Sequence, residues 1–189
     1  MTKKINRVHY TLNPFCGTLS DNEIKLIIRG ADDVVFHAGR ALLVKLLKGS
    51  KDKKIIELGL DKNPSYGSFN EDTLELIGEK VDWMIAKGRY LKIEYDYRLP
   101  LLVYEDRGLW IAEDLISDEY VVKISESIKK GDFSLSLTFR DKNRNMIFKL
   151  LEKIRYTKDK SFIPFLEVWK ENDYKKVISL IDYIIKDLL

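Results

Sequence analysis

One stretch of two-residue alternation constrains this chain's fold more than any other feature. From Tyr90 to Tyr95, Leu91, Ile93 and Tyr95 fall on one face while Lys92 and Glu94 fall on the other. Leu99 to Tyr104 is a second apolar run, separated from the first by Asp96, Tyr97 and Arg98. The two runs predict a β-hairpin, and Pro100 places its strand at a sheet edge because proline has no amide to donate. A lone two-stranded hairpin is at best marginally stable in water, so this one must pack on other elements. Its neighbours in the sequence supply only helices.

Ser20 and Glu23 have the Ser-x-x-Glu spacing that satisfies the free amides of a first turn, which predicts a helix starting at Ser20 with Ile24, Ile27 and Ile28 on its inner face. A second helix is expected from about Gly39 to Lys48, burying Leu42, Leu43, Leu46 and Leu47 and ending at Gly49, with Lys45 and Lys48 near its solvent side. Ser50 is expected to cap a short third helix whose apolar positions are Ile55, Ile56 and Leu58, with Gly59 at its end. Its first turn carries Lys51, Lys53 and Lys54. Three cations at a helix start oppose the macrodipole and cost a few tenths of a kcal/mol each, unless an anion sits beside them. Pro64 and Gly67 mark a loop, and a fourth helix is expected from about Glu71 to Lys87, with Leu74, Ile77, Val81, Met84 and Ile85 as its buried stripe. Helices followed by a hairpin give the order of a winged helix, in which a small bundle offers one helix and one hairpin, the wing, to a partner.

Beyond Gly108 the stripes are purely helical: Val121, Ile124 and Ile128, then Met146 to Ile154, Phe162 to Trp169, and Tyr174 to Ile185. They read as four helices resembling stacked antiparallel hairpins. The expected fold is therefore α+β and mostly α, a winged helix with a β-hairpin wing followed by a C-terminal helical unit. Residues 1–112, including an N-terminal extension, form the first domain and 113–189 the second.

With 45% hydrophobic residues in 189, the chain is of the globular class. A single cysteine, Cys16, allows neither an internal disulfide nor a cysteine-based zinc site, which suits a reducing compartment. No apolar run is long enough to span a bilayer, and the start MTKKINRVHYTLN lacks a signal peptide's apolar stretch, so a cytoplasmic location away from membranes is expected. The net charge of +3 says little about a polyanionic partner. The distribution says more: Arg40 to Lys54 holds six basic residues and one acid, and Arg140 to Lys160 holds eight basic residues and three acids.

Catalytic signatures are missing. There is no G-x-x-x-x-G-K-[S/T] phosphate loop, and His9, His37 and Cys16 stand at no ligand or catalytic spacing. Neighbours on a helix point about 100° apart, so neither Asp32-Asp33 nor Glu113-Asp114 converges on one atom. The expectation is a protein without enzymatic activity, cofactor or metal.

The stretch from Gly39-Arg-Ala-Leu-Leu-Val-Lys-Leu-Leu-Lys-Gly-Ser-Lys through Pro64-Ser-Tyr-Gly, Trp83-Met-Ile-Ala-Lys-Gly and the hairpin resembles the RQC domain, the DNA-binding winged helix that follows the motor of RecQ-family helicases. The similarity covers about residues 36 to 112. Motor and zinc-binding subdomain are both missing here, so the chain is similar to the stand-alone RQC-minor DNA-binding proteins. The resemblance implies a wing that works at a duplex end, an aromatic at its tip stacking on the terminal base pair while helix starts and loops hold phosphates. On this sequence the tip maps to Asp96-Tyr97-Arg98, the phosphate-holding turn to Gly49-Ser50-Lys51 with Lys53 and Lys54, and the interhelical loop to Ser65-Tyr66-Gly67-Ser68. Arg40 and Lys48 join this expected DNA-binding set.

The expected function is therefore binding of duplex ends, forks or junctions through the DNA backbone, without helicase activity. Two alternatives predict different things. A protein-interaction adaptor would dock its wing or its C-terminal helices on a protein partner, and a winged-helix transcriptional regulator would show base-reading side chains on one helix and a two-fold interface.

Overall fold

The computed structural model of the protein describes residues 11–189; His9 and the rest of the first ten residues of the expected N-terminal extension lie outside them. The chain divides into two compact units, one ending at Ala112 and the other running from Glu113 to Leu189. The expected fold class holds: helices, then a two-stranded antiparallel hairpin, then helices to the C-terminus.

In the first unit, α1 (Asp21–Asp32) starts at the expected capping box, with the Glu23 amide donating to Ser20 Oγ at 3.3 Å and the Ser20 amide to Glu23 Oε2 at 2.9 Å. It buries Ile24, Ile27 and Ile28 and packs on α2 (Arg40–Lys48), which buries Leu42, Leu43, Leu46 and Leu47 as the spacing predicts. Gly49 ends α2 at φ +76°, a left-handed backbone that costs glycine no Cβ clash.

The start of α3 (Lys53–Glu57) corrects an expectation, because Asp52 and not Ser50 is its cap. The Ser50 amide still donates to the Lys45 carbonyl, so Ser50 belongs to the close of α2. Asp52 accepts the Lys54 amide at 3.0 Å and the Lys45 ammonium at 2.7 Å. Lys51 lies outside the helix, and a carboxylate already answers part of the charge conflict read from the sequence.

The fourth helix is also shorter than expected. Thr73 caps α4 (Leu74–Ala86) by accepting the Leu76 amide at 3.2 Å, so Glu71 and Asp72 precede it. Leu74, at the open end, is exposed, while Ile77, Val81 and Met84 are buried. Asp72 instead receives Lys80 at 2.6 Å, and Lys80 also meets Glu23 at 2.9 Å, tying α4 to α1.

The wing is β1 (Leu91–Asp96) against β2 (Leu99–Tyr104), in register from Leu91 opposite Tyr104 to Asp96 opposite Leu99. Its root is held on three sides. Leu102 bonds through its carbonyl to the Phe36 amide and through its amide to the Ala38 carbonyl, both at 2.9 Å. Tyr104 donates to the Ile28 carbonyl at 3.2 Å, and burial, reinforced by nearby Asp32, pushes its phenol far above the usual range. Gly108, in the first turn of α5 (Asp106–Lys130), lies so close to the Tyr90 carbonyl that any side-chain carbon there would overlap it.

The second unit gathers the later part of α5 with α6 (Arg144–Thr157), α7 (Ile163–Lys170) and α8 (Lys175–Leu188). These helices surround one core. At its centre Phe139 and Trp169 lie 4.4 Å apart by ring centroid, with Phe165 against both. The Trp169 indole donates to Asp173 at 2.7 Å, so its one polar atom is satisfied inside. Among the described residues no helix is long and apolar enough to cross a membrane.

Candidate nucleic-acid interface

The lysines at the start of α3 divide by what they touch. Lys45 is held by Asp52, whose carboxyl is kept below its ordinary range by that bond and by the Lys54 amide. Lys53 reaches Glu57 at 3.4 Å in an exposed pair that contributes little. Lys51 and Lys54 are exposed, and neither ammonium meets a carboxylate among the described residues. Ser50 sits between the two groups, its hydroxyl accepting the Asp52 amide at 3.2 Å.

One groove joins this turn to the wing. Leu99, Pro100 and Leu101 of β2 line it together with His37, Lys45, Asp52 and Lys54. Arg98 immediately precedes Leu99, so the wing-tip cation is one residue from a groove that already contains Lys54. Tyr97, at the tip, is 66% exposed and holds φ at +55°, a conformation normally left to glycine or asparagine in two-residue hairpin turns. Keeping an aromatic there costs on the order of 1 kcal/mol, and strain of this kind gathers at functional positions. The Arg98 guanidinium lies 5.3 Å from the Tyr97 ring centre, so cation and aromatic face form one tip.

Most of the rest of the expected set, partly exposed apart from Ser65, makes contacts within the fold. Arg40 donates through Nε and, at 2.9 Å, through Nη2 to Asp82, and Gly78 leaves the space its guanidinium fills. Lys48 donates to the carbonyls of Asn70 and Asp72 at 2.6 and 2.8 Å. Ser65 is 1% exposed, Tyr66 donates to the Ser50 carbonyl at 3.1 Å, and the Ser68 hydroxyl is buried without a hydrogen-bond partner. The 65–68 loop thus clasps the end of α2, with Gly67 packed against Gly49. Of these residues Tyr66 braces the turn that carries Ser50 and Lys51, whereas Arg40 ties the start of α2 to α4.

The acid pairs are also engaged. Asp32 accepts from Tyr104 at 3.4 Å, Asp33 from Asn63 at 2.7 Å, Glu113 meets Lys149 at 3.3 Å and Asp114 meets Lys153 at 2.8 Å. Among the described residues no three His, Cys, Asp or Glu side chains gather to hold a metal. Two residues that sequence reasoning missed are Asp52 and Asp82. The first had a signal, since Asp directly before a short helix is itself a preferred cap. Asp82 had none, because its partner lies 42 positions away.

A family model described as RQC domain matches residues 21–146, from α1 into the start of α6 and about two thirds of the chain. No curated protein and no solved structure matches it.

Proposed function

The chain belongs to the RQC domain family, whose members are typically DNA-binding winged helices, and on that footing we propose that it holds DNA by the phosphate backbone and prefers duplex ends, forks or junctions, without helicase activity. The observation that carries this reading is the groove shared by the wing and the start of α3. Lys54 lines the groove and Lys51 and Lys53 flank it in the sequence, so the three attract phosphates to this turn, and Ser50, whose oxygen accepts the Asp52 amide, keeps its own O–H to donate. The Asp52 charge that would repel a phosphate is answered by Lys45 at 2.7 Å. At the tip, Tyr97 and Arg98 stack on a terminal base pair, a contact that tolerates any sequence. Base reading has no support on α4, which contains no Arg, Asn or Gln.

Fluorescence anisotropy titrations of blunt duplex, fork and single strand at two salt concentrations test the proposal. The affinity should fall steeply with salt. Reversing Lys51 and Lys53 to Glu should weaken every substrate, whereas Tyr97→Ala should mainly reduce the preference for ends and forks. A flat salt dependence, or no binding at low salt, sinks the reading; equal losses for both variants remove the wing tip's role.

A further inference from the structure

The second basic stretch of the sequence separates into two halves once folded. In the half towards the end of α6, the cations are spent within the unit: Lys153 meets Asp114 and Asp118 at 2.8 and 2.6 Å, and Arg155 and Lys158 meet Asp187 at 3.0 and 2.6 Å. The half that leads into α6 is different. Arg140 and Lys142 pair with no carboxylate among the described residues, and neither do Lys175 and Lys176 in the first turn of α8. Tyr174 brings these segments to one corner, with the guanidinium carbons of Arg140 and Arg144 at 5.0 and 4.4 Å from its ring centre. Arg144 is committed, donating to Asp173 at 3.0 Å and to the Arg140 carbonyl. Asp173, 1% exposed and also receiving Trp169, offers no charge to the surface. Arg140 thus lies at a half-exposed ring, with Lys142 two residues along its own segment and Lys175 and Lys176 directly following Tyr174; the exposed acids of these two segments are Asp141 and Glu171.

We propose that Arg140, Lys142, Lys175 and Lys176 form a second contact for the DNA phosphate backbone, a step that rests on the DNA-binding reading above. The Tyr174 ring 5.0 Å from the Arg140 guanidinium carbon uses none of its N–H groups, which leaves them to grip a phosphate by two bonds. Like charges gathered without counter-anions repel one another, and a polyanion relieves that repulsion while releasing its own condensed cations. A protein partner fits less well, because such interfaces deplete lysine at their centre, and three of these four cations are lysines.

The test uses the full chain in three forms on a long blunt duplex: native, Lys51→Glu with Lys53→Glu, and a corner variant carrying Arg140→Gln, Lys142→Gln, Lys175→Gln and Lys176→Gln. Relative to native, the corner variant should lower the slope of log affinity against log salt by about 2–3 and weaken binding on the order of tenfold at ~0.1 M salt. Its thermal midpoint should stay at the native value, since all four side chains are exposed. The pair Lys175→Gln with Lys176→Gln, which leaves the Tyr174 stack alone, should produce about half the slope change. A corner variant with the native slope overturns the proposal and leaves this face to a protein partner, while the α3 and wing reading stands on its own variant. Loss of slope in the corner variant alone, with Lys51 and Lys53 reversed at no cost, supports the corner and overturns the wing reading instead.

Discussion

Arg40 donates through two nitrogens to Asp82, a fully buried carboxylate that also accepts the Asn13 amide at 2.8 Å. Removing one partner of such a pair strands the other charge away from water, and that loss costs about 3–5 kcal/mol. Arg40→Met keeps most of the side-chain bulk and removes the charge. We expect a stability loss of about 3 kcal/mol, near the lower end because the Asn13 amide remains, read from urea unfolding. The salt dependence of DNA binding should not change. A slope smaller by about one phosphate would return Arg40 to the interface. Lys45, Lys48 and Arg40 show what a count of cations leaves out: each is answered by a group 7 to 42 positions away, which composition does not register. Lys51 and Lys54 keep the exposure that the sequence implies, since among the described residues no carboxylate forms an ion pair with them.

At the scale of elements, the wing works only if its root is fixed while its tip is exposed, and Gly108 is the tightest point of that root. A methyl group there overlaps the Tyr90 carbonyl oxygen, which is also the acceptor for the Glu105 amide. Gly108→Ala must push α5 away from β1 or distort the chain at Glu105, because backbone does not yield as a flexible side chain does. The expected result is a destabilisation of about 1–3 kcal/mol with weakened preference for ends and forks, checked by thermal unfolding and by the same anisotropy titrations. Native stability in that variant would mean that the root is looser than its packing implies. Local chemistry made several boundaries legible, since Ser20 with Glu23 and Gly49 carry their own capping signals. It failed where two capping residues compete. Ser50 and Asp52 both suit a helix start, and only the Ser50 amide's bond to Lys45 decides between them. Glu71 and Asp72 suit a first turn equally well, but Thr73 is the residue whose oxygen reaches the Leu76 amide.

At the scale of the molecule, the family match runs further in both directions than the resemblance legible at 36–112. Outside those limits α1 and the later part of α5 carry apolar stripes but no cluster of glycine and proline of the kind that makes Pro64-Ser65-Tyr66-Gly67 readable, so periodicity gives a helix and no identity. Each unit has its own buried core: Ile27, Leu43, Leu46 and Val81 in the first, and Phe139, Leu150, Phe165 and Trp169 in the second. We propose that the two therefore unfold as separate cooperative steps. Leu150 is completely buried among the second set, and Leu150→Ala should cost about 2–5 kcal/mol by lost burial and the cavity left behind. Calorimetry of the full chain should then show two transitions, with only the one reported by Trp169 moving down. Between the shifted and unshifted midpoints the groove of the first unit should still bind DNA, with the smaller salt slope of a chain that has lost its C-terminal corner. One transition that moves as a whole would show that α5, which runs through both units, makes them a single folding unit. Binding lost in step with the second unit would then reflect global unfolding rather than a separate contact.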